Sequence, residues 1–533
     1  MEPPIAKSSA ASESAAEAAA HQHLRTDHLM ANLKGRTVSS GLIIGATVCA
    51  KFSLNLIYNM ALARLLDAED FGLVAMVTAF TGILRVFKDA GLSIATIQRE
   101  GITQGQVSNL FWINVAVSAA MTLVIAAAAL PISIFYHHDS RLVGIGLLLS
   151  TTFLFSGTAV QHVALLNRQM RFRMVALIEV GSMVVSATVG ITMGLLGFGY
   201  WSVVAGMVTL EAAALAFTWS ASGWRPQRFK FRQGTRPLVA FGATMTLGNF
   251  VGLVVSGLDV ILLGEFYGPA AAGLYTRAQA LLTRPLNQLL LPMSSVFLPM
   301  LARLLPQPER YRSAFLRLYD AIVLAALFGT AIVLPLAHPL VLVLLGKKWE
   351  AAGSIFAGFT IAALYLPVDI VTHWLYTSQG RGKAVLVSNI LISIVTLSSF
   401  LIGIPYGPVG VAFSYSISGF LLRMPITYYI AGRTGPVRTK DLWMTFLRHF
   451  PLWILIFLVS AGTRHLLDAQ APFIQLAVSS IAGFVAGAAF VYFSPPQRRA
   501  LDHLIDALKE MKNRKRGQAA AAAAAAPAGE GPK

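Results

Sequence analysis

Charged residues, cysteine and long polar linkers are all scarce in this sequence. Only 12% of its 533 residues are charged, about half the share of roughly 25% found in soluble domains. That shortage excludes a string of soluble domains, which a chain of this length would otherwise form with polar connections between them. The single cysteine, Cys49, excludes an intramolecular disulfide. There is no G-x-x-x-x-G-K-[ST] loop. The nearest string, Gly380-Arg381-Gly382-Lys383-Ala384, lacks both the spacing and the hydroxyl, so no attached ATPase is expected. H-E-x-x-H and a serine-centred elbow are missing too, which argues against an enzyme. His137 and His138 share a loop without further ligands at zinc spacing, so neither a metal nor a cofactor is expected. The first 35 residues are Ala-rich and polar, without the apolar core of a signal peptide. The first apolar stretch is therefore expected to act as an uncleaved targeting segment.

What fills the chain instead is apolar sequence. Hydrophobic residues make up 56%, and apolar stretches recur from Val38 to Phe493 with short polar breaks. A bilayer core of roughly 30 Å needs about 20 apolar residues per helical crossing. Lipid cannot satisfy backbone polar groups, so only helices or closed barrels cross it. These runs are continuous and not alternating, which rejects the barrel. The expected fold is therefore all-α and polytopic, with about fourteen transmembrane helices. The expected spans are 38–60, 71–88, 108–135, 142–165, 174–196, 200–220, 238–264, 270–300, 314–345, 351–378, 384–404, 408–430, 442–467 and 471–494. Pro285, Pro292 and Pro335 mark where spans eight and nine would kink.

Lysine and arginine set the orientation. Lys34, Arg36, Arg99, the trio Arg168, Arg171 and Arg173, the cluster Arg225–Arg236, and Arg303, Arg310, Arg312, Arg381, Lys383, Arg433, Arg438 and Lys440 fall on one side. Arg64, Arg141, Lys347, Lys348 and Arg464 fall on the other. The rich side is expected to be cytoplasmic, with both termini, which agrees with an even number of spans. The same rule absorbs most of the net charge of +18, so no nucleic-acid partner is implied.

Internal similarity divides the chain. Gly45-Ala46-Thr47 in the first span matches Gly242-Ala243-Thr244 in the seventh. Phe71-Gly72-Leu73 matches Ala272-Gly273-Leu274, and the turn Gly197-Phe198-Gly199-Tyr200 matches Gly407-Pro408-Val409-Gly410. Two six-helix lobes in parallel repeat are expected, followed by two extra helices, an arrangement common in secondary transporters with the substrate path between the halves. The expected boundaries are a disordered cytoplasmic N-terminus at 1–36, an N-lobe at 37–220 and a basic linker at 221–237. A C-lobe at 238–430 and the two last helices at 431–494 follow. At 495–516 the apolar spacing of Leu501, Leu504, Ile505, Leu508 and Met511, followed by Lys512, Arg514, Lys515 and Arg516, reads as a basic amphipathic helix. It either lies on the cytoplasmic leaflet or stays solvated as a topology anchor. The Ala-rich tail at 517–533 is expected to be disordered.

Polar side chains inside the hydrocarbon are costly and usually face a water-filled cavity. Thr47, Lys51, Asn55 and Asn59 form a stripe on the first span. Thr78, Thr81, Arg85 and Lys88 form one on the second, and Asn249, Gly252, Ser256 and Asp259 one on the seventh. Arg277, Arg284 and Gln288 share a face of the eighth, and Tyr365, Asp369 and His373 one of the tenth. Glu211 and Arg423 stand singly on theirs. Lys51, Asn55, Arg85, Lys88, Asn249, Arg277 and Arg284 are the candidate substrate-binding residues. Asp259 and Asp369 are candidates for ion coupling. The competing reading is snorkelling or interhelical pairing, such as Asp259 with Arg277.

One segment resembles a known family. Ala63-Arg64-Leu65-Leu66-Asp67-Ala68-Glu69-Asp70-Phe71-Gly72-Leu73-Val74-Ala75-Met76 is similar to the opening signature of Wzx-like polysaccharide flippases, in the polysaccharide-transporter branch of the multidrug/oligosaccharidyl-lipid/polysaccharide exporter superfamily. The likeness continues in Asp89-Ala90-Gly91-Leu92-Ser93, Ile97-Gln98-Arg99, Leu166-Asn167-Arg168, Phe172-Arg173, and from Gly264 through Gly273-Leu274-Tyr275 to Arg277-Ala278. It covers about 40–430 and is nearest the colanic-acid exporters; Ala68 replaces a proline common in that loop. The signature itself reads as structural. Asp70 is placed to cap the second helix, and Gly72 to let helices approach closely. The resemblance implies a bacterial inner-membrane flippase moving an undecaprenyl-diphosphate-linked oligosaccharide by alternating access. Implied partners are that lipid, membrane lipids, and a polysaccharide polymerase with its co-polymerase. The cavity cations would suit the diphosphate. A drug exporter of the same superfamily would need a more aromatic, carboxylate-lined cavity. A membrane enzyme of cell-envelope glycan assembly would need a carboxylate cluster or nucleophile at the membrane surface, and the sequence offers neither.

Overall fold

A computed structural model describes residues 33–84, 91–99, 101–229, 255, 257–498 and 500–501. Among these residues every regular element is helical. The helices are α1 (Leu33–Leu65), α2 (Ala68–Leu84), α3 (Leu92–Gln98), α4 (Gln104–Phe135), α5 (Arg141–Arg168), α6 (Phe172–Leu195), α7 (Tyr200–Ser222), α8 (Leu258–Leu304) and α9 (Pro308–Val333). They continue with α10 (Ala337–Leu344), α11 (Glu350–Ala362), α12 (Leu366–Ser378), α13 (Gly382–Gly403), α14 (Gly407–Ser418), α15 (Met424–Gly432), α16 (Thr439–Leu466) and α17 (Pro472–Phe493). Nine helical stretches among the described residues are long and apolar enough to cross a membrane. One of them, Gly382–Gly432, folds back at Ile404–Tyr406, so that α13 packs against α14.

The pattern of burial is that of a membrane protein turned apolar side out. On α6 the buried face is Ile178, Ser182, Ser186, Gly190 and Gly194, while Leu177, Val184 and Leu195 are exposed. On α17 it is Gln475, Ser479, Gly483, Gly487 and Val491, while Ile481, Phe484 and Val485 are exposed. Small residues every fourth position let helix backbones approach where lipid removes the hydrophobic drive between helices. Their hydroxyls then bond across or along the helices, as Ser186 Oγ does by donating to the Gly206 carbonyl at 2.7 Å.

The chain forms two compact units. One contains the described residues up to Asn59 and Phe80–Phe229; the other contains Met60–Ala79 and the described residues from Val255 to Leu501. The last turns of α1 and the first three turns of α2 thus belong with α8–α17. A similar local geometry recurs in both units. After α5 the turn at Met170 has φ 54°, and after α12 the turn at Gly380 has φ 66°. Arg171 follows the first turn and donates to the Ala221 carbonyl at the end of α7; Arg381 follows the second and donates to the Ala431 carbonyl at the end of α15. Each guanidinium thereby satisfies carbonyls that the helix C-terminus leaves open.

Boundaries differ from the sequence expectation in places. The stretch Leu258–Leu304 is broken at Gly268 (φ 77°), between the expected spans 238–264 and 270–300, and its torsions stay helical at Pro285 and Pro292. Pro335, by contrast, does lie in the break between α9 and α10. The short α3 is an addition to the expected spans; it is held by Arg168 Nη1, which donates to the carbonyls of Thr96 and Arg99 at 2.8 and 2.7 Å. The basic linker beyond 229, most of the amphipathic segment and the Ala-rich tail lie outside the described residues.

Within the second unit α2 and α8 are joined by a reciprocal contact. A Cβ built on Gly72 would stand 1.6 Å from the Pro269 carbonyl oxygen, and one on Gly273 would stand 1.8 Å from that of Ala68. Both obstacles are backbone and cannot rotate away. Gly72→Ala is therefore expected to cost at least about 3 kcal/mol, the upper end of overpacking penalties. Gly82→Ala on the same helix, where a Cβ meets nothing within 4 Å, should be neutral or slightly stabilising. Thermal unfolding of the two variants in detergent checks the contrast, and equal melting would remove the contact from the account.

Candidate functional site

The signature loop is built into this contact. Asp67 precedes α2, and its amide donates to Asp70 Oδ2 at 3.1 Å, half of a capping box. Asp70 thus bonds the amide just ahead of the helix. Lys348 Nζ reaches Asp67 Oδ1 at 2.8 Å, Trp349 Nε1 donates to the Ala63 carbonyl at 2.7 Å, and the Trp349 ring packs on Phe71 with centroids 5.4 Å apart. The Arg277 guanidinium lies 3.8 Å from the centre of the same Phe71 ring. A sequence read as a family marker is therefore a clasp between the α1–α2 turn and the Gly346–Glu350 segment.

The candidate site residues fall into separate settings. In the first unit Lys51 Nζ pairs with Glu179 Oε2 at 3.0 Å, both side chains being close to half exposed. Asn55 Oδ1 accepts from Asn59 Nδ2 at 2.8 Å one turn on. Tyr58, beside them, fits into a slot left by Gly190 and Gly206. In the second unit Arg277 sits on Phe71 and Arg284 is exposed. Gln288, one turn beyond Arg284, has a buried Oε1 without a hydrogen bond among the described residues. Arg85, Lys88 and Asn249 lie outside the described residues.

The two carboxylates expected to couple ions are both bonded. Asp259 is buried and accepts from the Val260 amide at 2.9 Å, Tyr275 Oη at 3.0 Å and Gln279 Nε2 at 3.1 Å. Asp369 accepts from Thr427 Oγ1 at 2.8 Å and lies 3.6 Å from Arg423 Nη2. Arg423 is 8% exposed, sits in a π-helical turn at Gly419–Arg423, and has the rings of Tyr365 and Tyr415 at 5.5 and 5.3 Å. Arg423 and Asp369 thus form one cluster on facing helices. A further buried pair lies beyond the residues singled out from the sequence as site candidates: His449 Nε2 and Asp320 Oδ1 are 2.8 Å apart. A signal for it exists, since His449 is an ionisable residue inside an apolar run.

Comparison with known proteins then decides the family. The family model described as polysaccharide biosynthesis protein matches residues 61–354, more than half of the chain and starting at the clasp. The chain belongs to the polysaccharide biosynthesis protein family. Among its relatives it is 22% identical over 420 residues to the teichuronic acid biosynthesis protein TuaB of Bacillus subtilis (strain 168), covering 76% of this chain and 84% of that one. It is 20% identical over 439 residues to the lipopolysaccharide biosynthesis protein WzxC of Escherichia coli (strain K12), covering 80% and 87%. Its fold is similar to that of the lipid II flippase MurJ in an inward closed conformation, with a TM-score of 0.66 at 14% identity over 84% of this chain and 99% of that one. An inward-facing multidrug transporter of the MATE family also matches, with a TM-score of 0.56 at 13% identity over 74% and 95%. Family membership and the helices long enough for a bilayer together make the chain a multi-pass membrane protein.

The contact of Asp369 with the buried Arg423 predicts a role in stability for this carboxylate. Breaking a buried ion pair by neutralising one member leaves the other charge uncompensated and costs about 3–5 kcal/mol. Asp369→Asn is expected to fall in that range by thermal unfolding, and Arg423→Met with Asp369→Leu to recover most of the loss. An Asp369→Asn protein of normal stability that no longer exports would return this carboxylate to ion coupling.

Proposed function

We propose that the protein moves a lipid-linked oligosaccharide, carried on undecaprenyl diphosphate, from the cytoplasmic to the periplasmic leaflet of a bacterial inner membrane. The observation that carries this reading is the family match, which spans the clasp and continues to Ser354. The relatives whose names refer to teichuronic acid and lipopolysaccharide synthesis support it. The flippase fold at 99% coverage of the matched chain gives further support. Both termini lie in the cytoplasm, and transport proceeds by alternating access without chemical change to the lipid. A polymerase and its co-polymerase receive the flipped unit.

Lys51, Asn55, Arg85, Lys88, Asn249, Arg277 and Arg284 bind the head of the lipid in this reading. Lys51 is suited because its partner Glu179 is itself half exposed, so the ammonium can exchange a carboxylate for a phosphate oxygen at small cost. Arg284 is exposed and can offer a bidentate fork to the diphosphate.

Two measurements in cells test the proposal. Deleting the gene should make the lipid-linked oligosaccharide accumulate on the cytoplasmic leaflet and remove the surface polysaccharide, with no change in cationic dye efflux. Complementation with Lys51→Gln or Arg284→Gln should give near-normal membrane abundance and export reduced by roughly tenfold, the loss of one charge-assisted bond. Lost dye efflux with normal surface polysaccharide would contradict the flippase reading and favour a drug exporter.

A further inference from the structure

A cleft of about 490 Å³ opens between α9 and α16 in the second unit, lined by Glu309, Arg312, Ser313, Arg317, Asp320 and Arg448 among others. Its volume lies in the range of about 300–1,000 Å³ typical of small-molecule sites. Part of its charge is already engaged. Arg312 makes a two-point contact with Asp441, with Nη2 at 2.6 Å and Nε at 3.0 Å. Asp320 is held from below by the buried His449 at 2.8 Å, and Arg448 Nη1 lies only at 4.0 Å from the same oxygen. What remains free is informative. Arg317 and Ser313, one helical turn apart, make no side-chain hydrogen bond or ion pair among the described residues, and both are exposed. Arg448 stands across the cleft on α16, also exposed. Glu309, at the first turn of α9, is the one uncommitted acid of the lining among the described residues.

We propose that this cleft holds the phosphate diester of a resident membrane phospholipid, with Arg317 and Arg448 as its cationic ligands and Ser313 as a hydroxyl donor. Two guanidinium groups from neighbouring helices can grip one phosphate from both sides. The rest of the lining argues for a lipid over a soluble anion. Leu316 lies in the cleft, and on α16 the exposed Met444 (52%) and Leu447 (56%) flank Thr445 and Arg448. An apolar surface therefore continues from the level of the arginines along a membrane-length helix, where acyl chains would lie. Basic pockets between transmembrane helices on the positively charged side of a membrane protein are suited to such headgroups. The Asp320 carboxylate in the lining is engaged by the buried His449 at 2.8 Å.

The full-length protein purified in mild detergent tests this by native mass spectrometry and thermal unfolding, with phosphatidylglycerol, inorganic phosphate and polyprenyl phosphate as separate probes. Wild-type protein should retain phosphatidylglycerol and melt higher in its presence. Arg317→Gln should bind it about tenfold more weakly, and Arg317→Gln with Arg448→Gln more weakly again. Arg317→Gln removes an exposed side chain without internal partners among the described residues, so it keeps the test valid if the double variant fails to fold. Equal retention by wild type and Arg317→Gln would overturn the site. Equal protection by inorganic phosphate would make it a site for soluble anions and overturn the lipid assignment. Displacement of phosphatidylglycerol by polyprenyl phosphate at equal concentration would assign the cleft to the transported lipid and likewise overturn a resident one.

Discussion

The seating of Gly72 and Gly273 against each other's helix starts is the constraint on which the second unit depends. The two glycines occupy matching places in the similar segments Phe71-Gly72-Leu73 and Ala272-Gly273-Leu274. Each faces a carbonyl that precedes the other: Pro269 for Gly72 and Ala68 for Gly273. No side chain of any size fits there, so the distance between α2 and α8 is set by backbone alone. Everything around the contact uses that closeness. The Trp349 indole can reach the Ala63 carbonyl, Lys348 can reach Asp67, and Phe71 packs with both Trp349 and Arg277. The family signature is thus intelligible as packing. Its acids cap and pin a helix start, its glycine removes a Cβ, and its phenylalanine fills the space beside the clasp.

A second principle governs the polar groups. Lipid offers no hydrogen bonds, so each buried charge in this chain needs a partner supplied by the protein. Asp259, Asp369 and Asp320 all have one, from Tyr275 and Gln279, from Thr427 and Arg423, and from His449. The groups accessible to a ligand are accordingly the exposed or half-exposed ones, Lys51 and Arg284 among them.

The fold class is legible in the sequence because it rests on composition and run length, which lipid dictates directly. Span ends such as Phe135, Leu195 and Phe493 follow to within a few residues, since the change from apolar to polar sequence marks them. The break at Gly268 falls in the gap the sequence leaves between two apolar runs, and its positive φ cannot be helical, whereas Pro285 and Pro292 keep helical torsions within the run that follows. The close approach at Gly72 is legible, because a glycine inside an apolar helix start has few other uses. The pairing of polar residues is not. Arg423 and Asp369 lie on different spans, and nothing in either span announces the other. Lys51 and Glu179 each stand out as charges in apolar runs, yet their contact depends on how α1 meets α6. A stripe on one helix shows that a face is polar, but its partner is decided by tertiary packing.

The central claim is that the protein carries a glycan-bearing lipid between leaflets and leaves it chemically unchanged. Its most direct measurement is reconstitution of the purified protein into liposomes that hold a fluorescent lipid-linked oligosaccharide in one leaflet, with leaflet exposure followed over time. The account predicts protein-dependent transfer to the opposite leaflet with the lipid recovered intact. Liposomes in which the lipid stays in place under an imposed ion gradient, or in which it is converted to a new product, would contradict it.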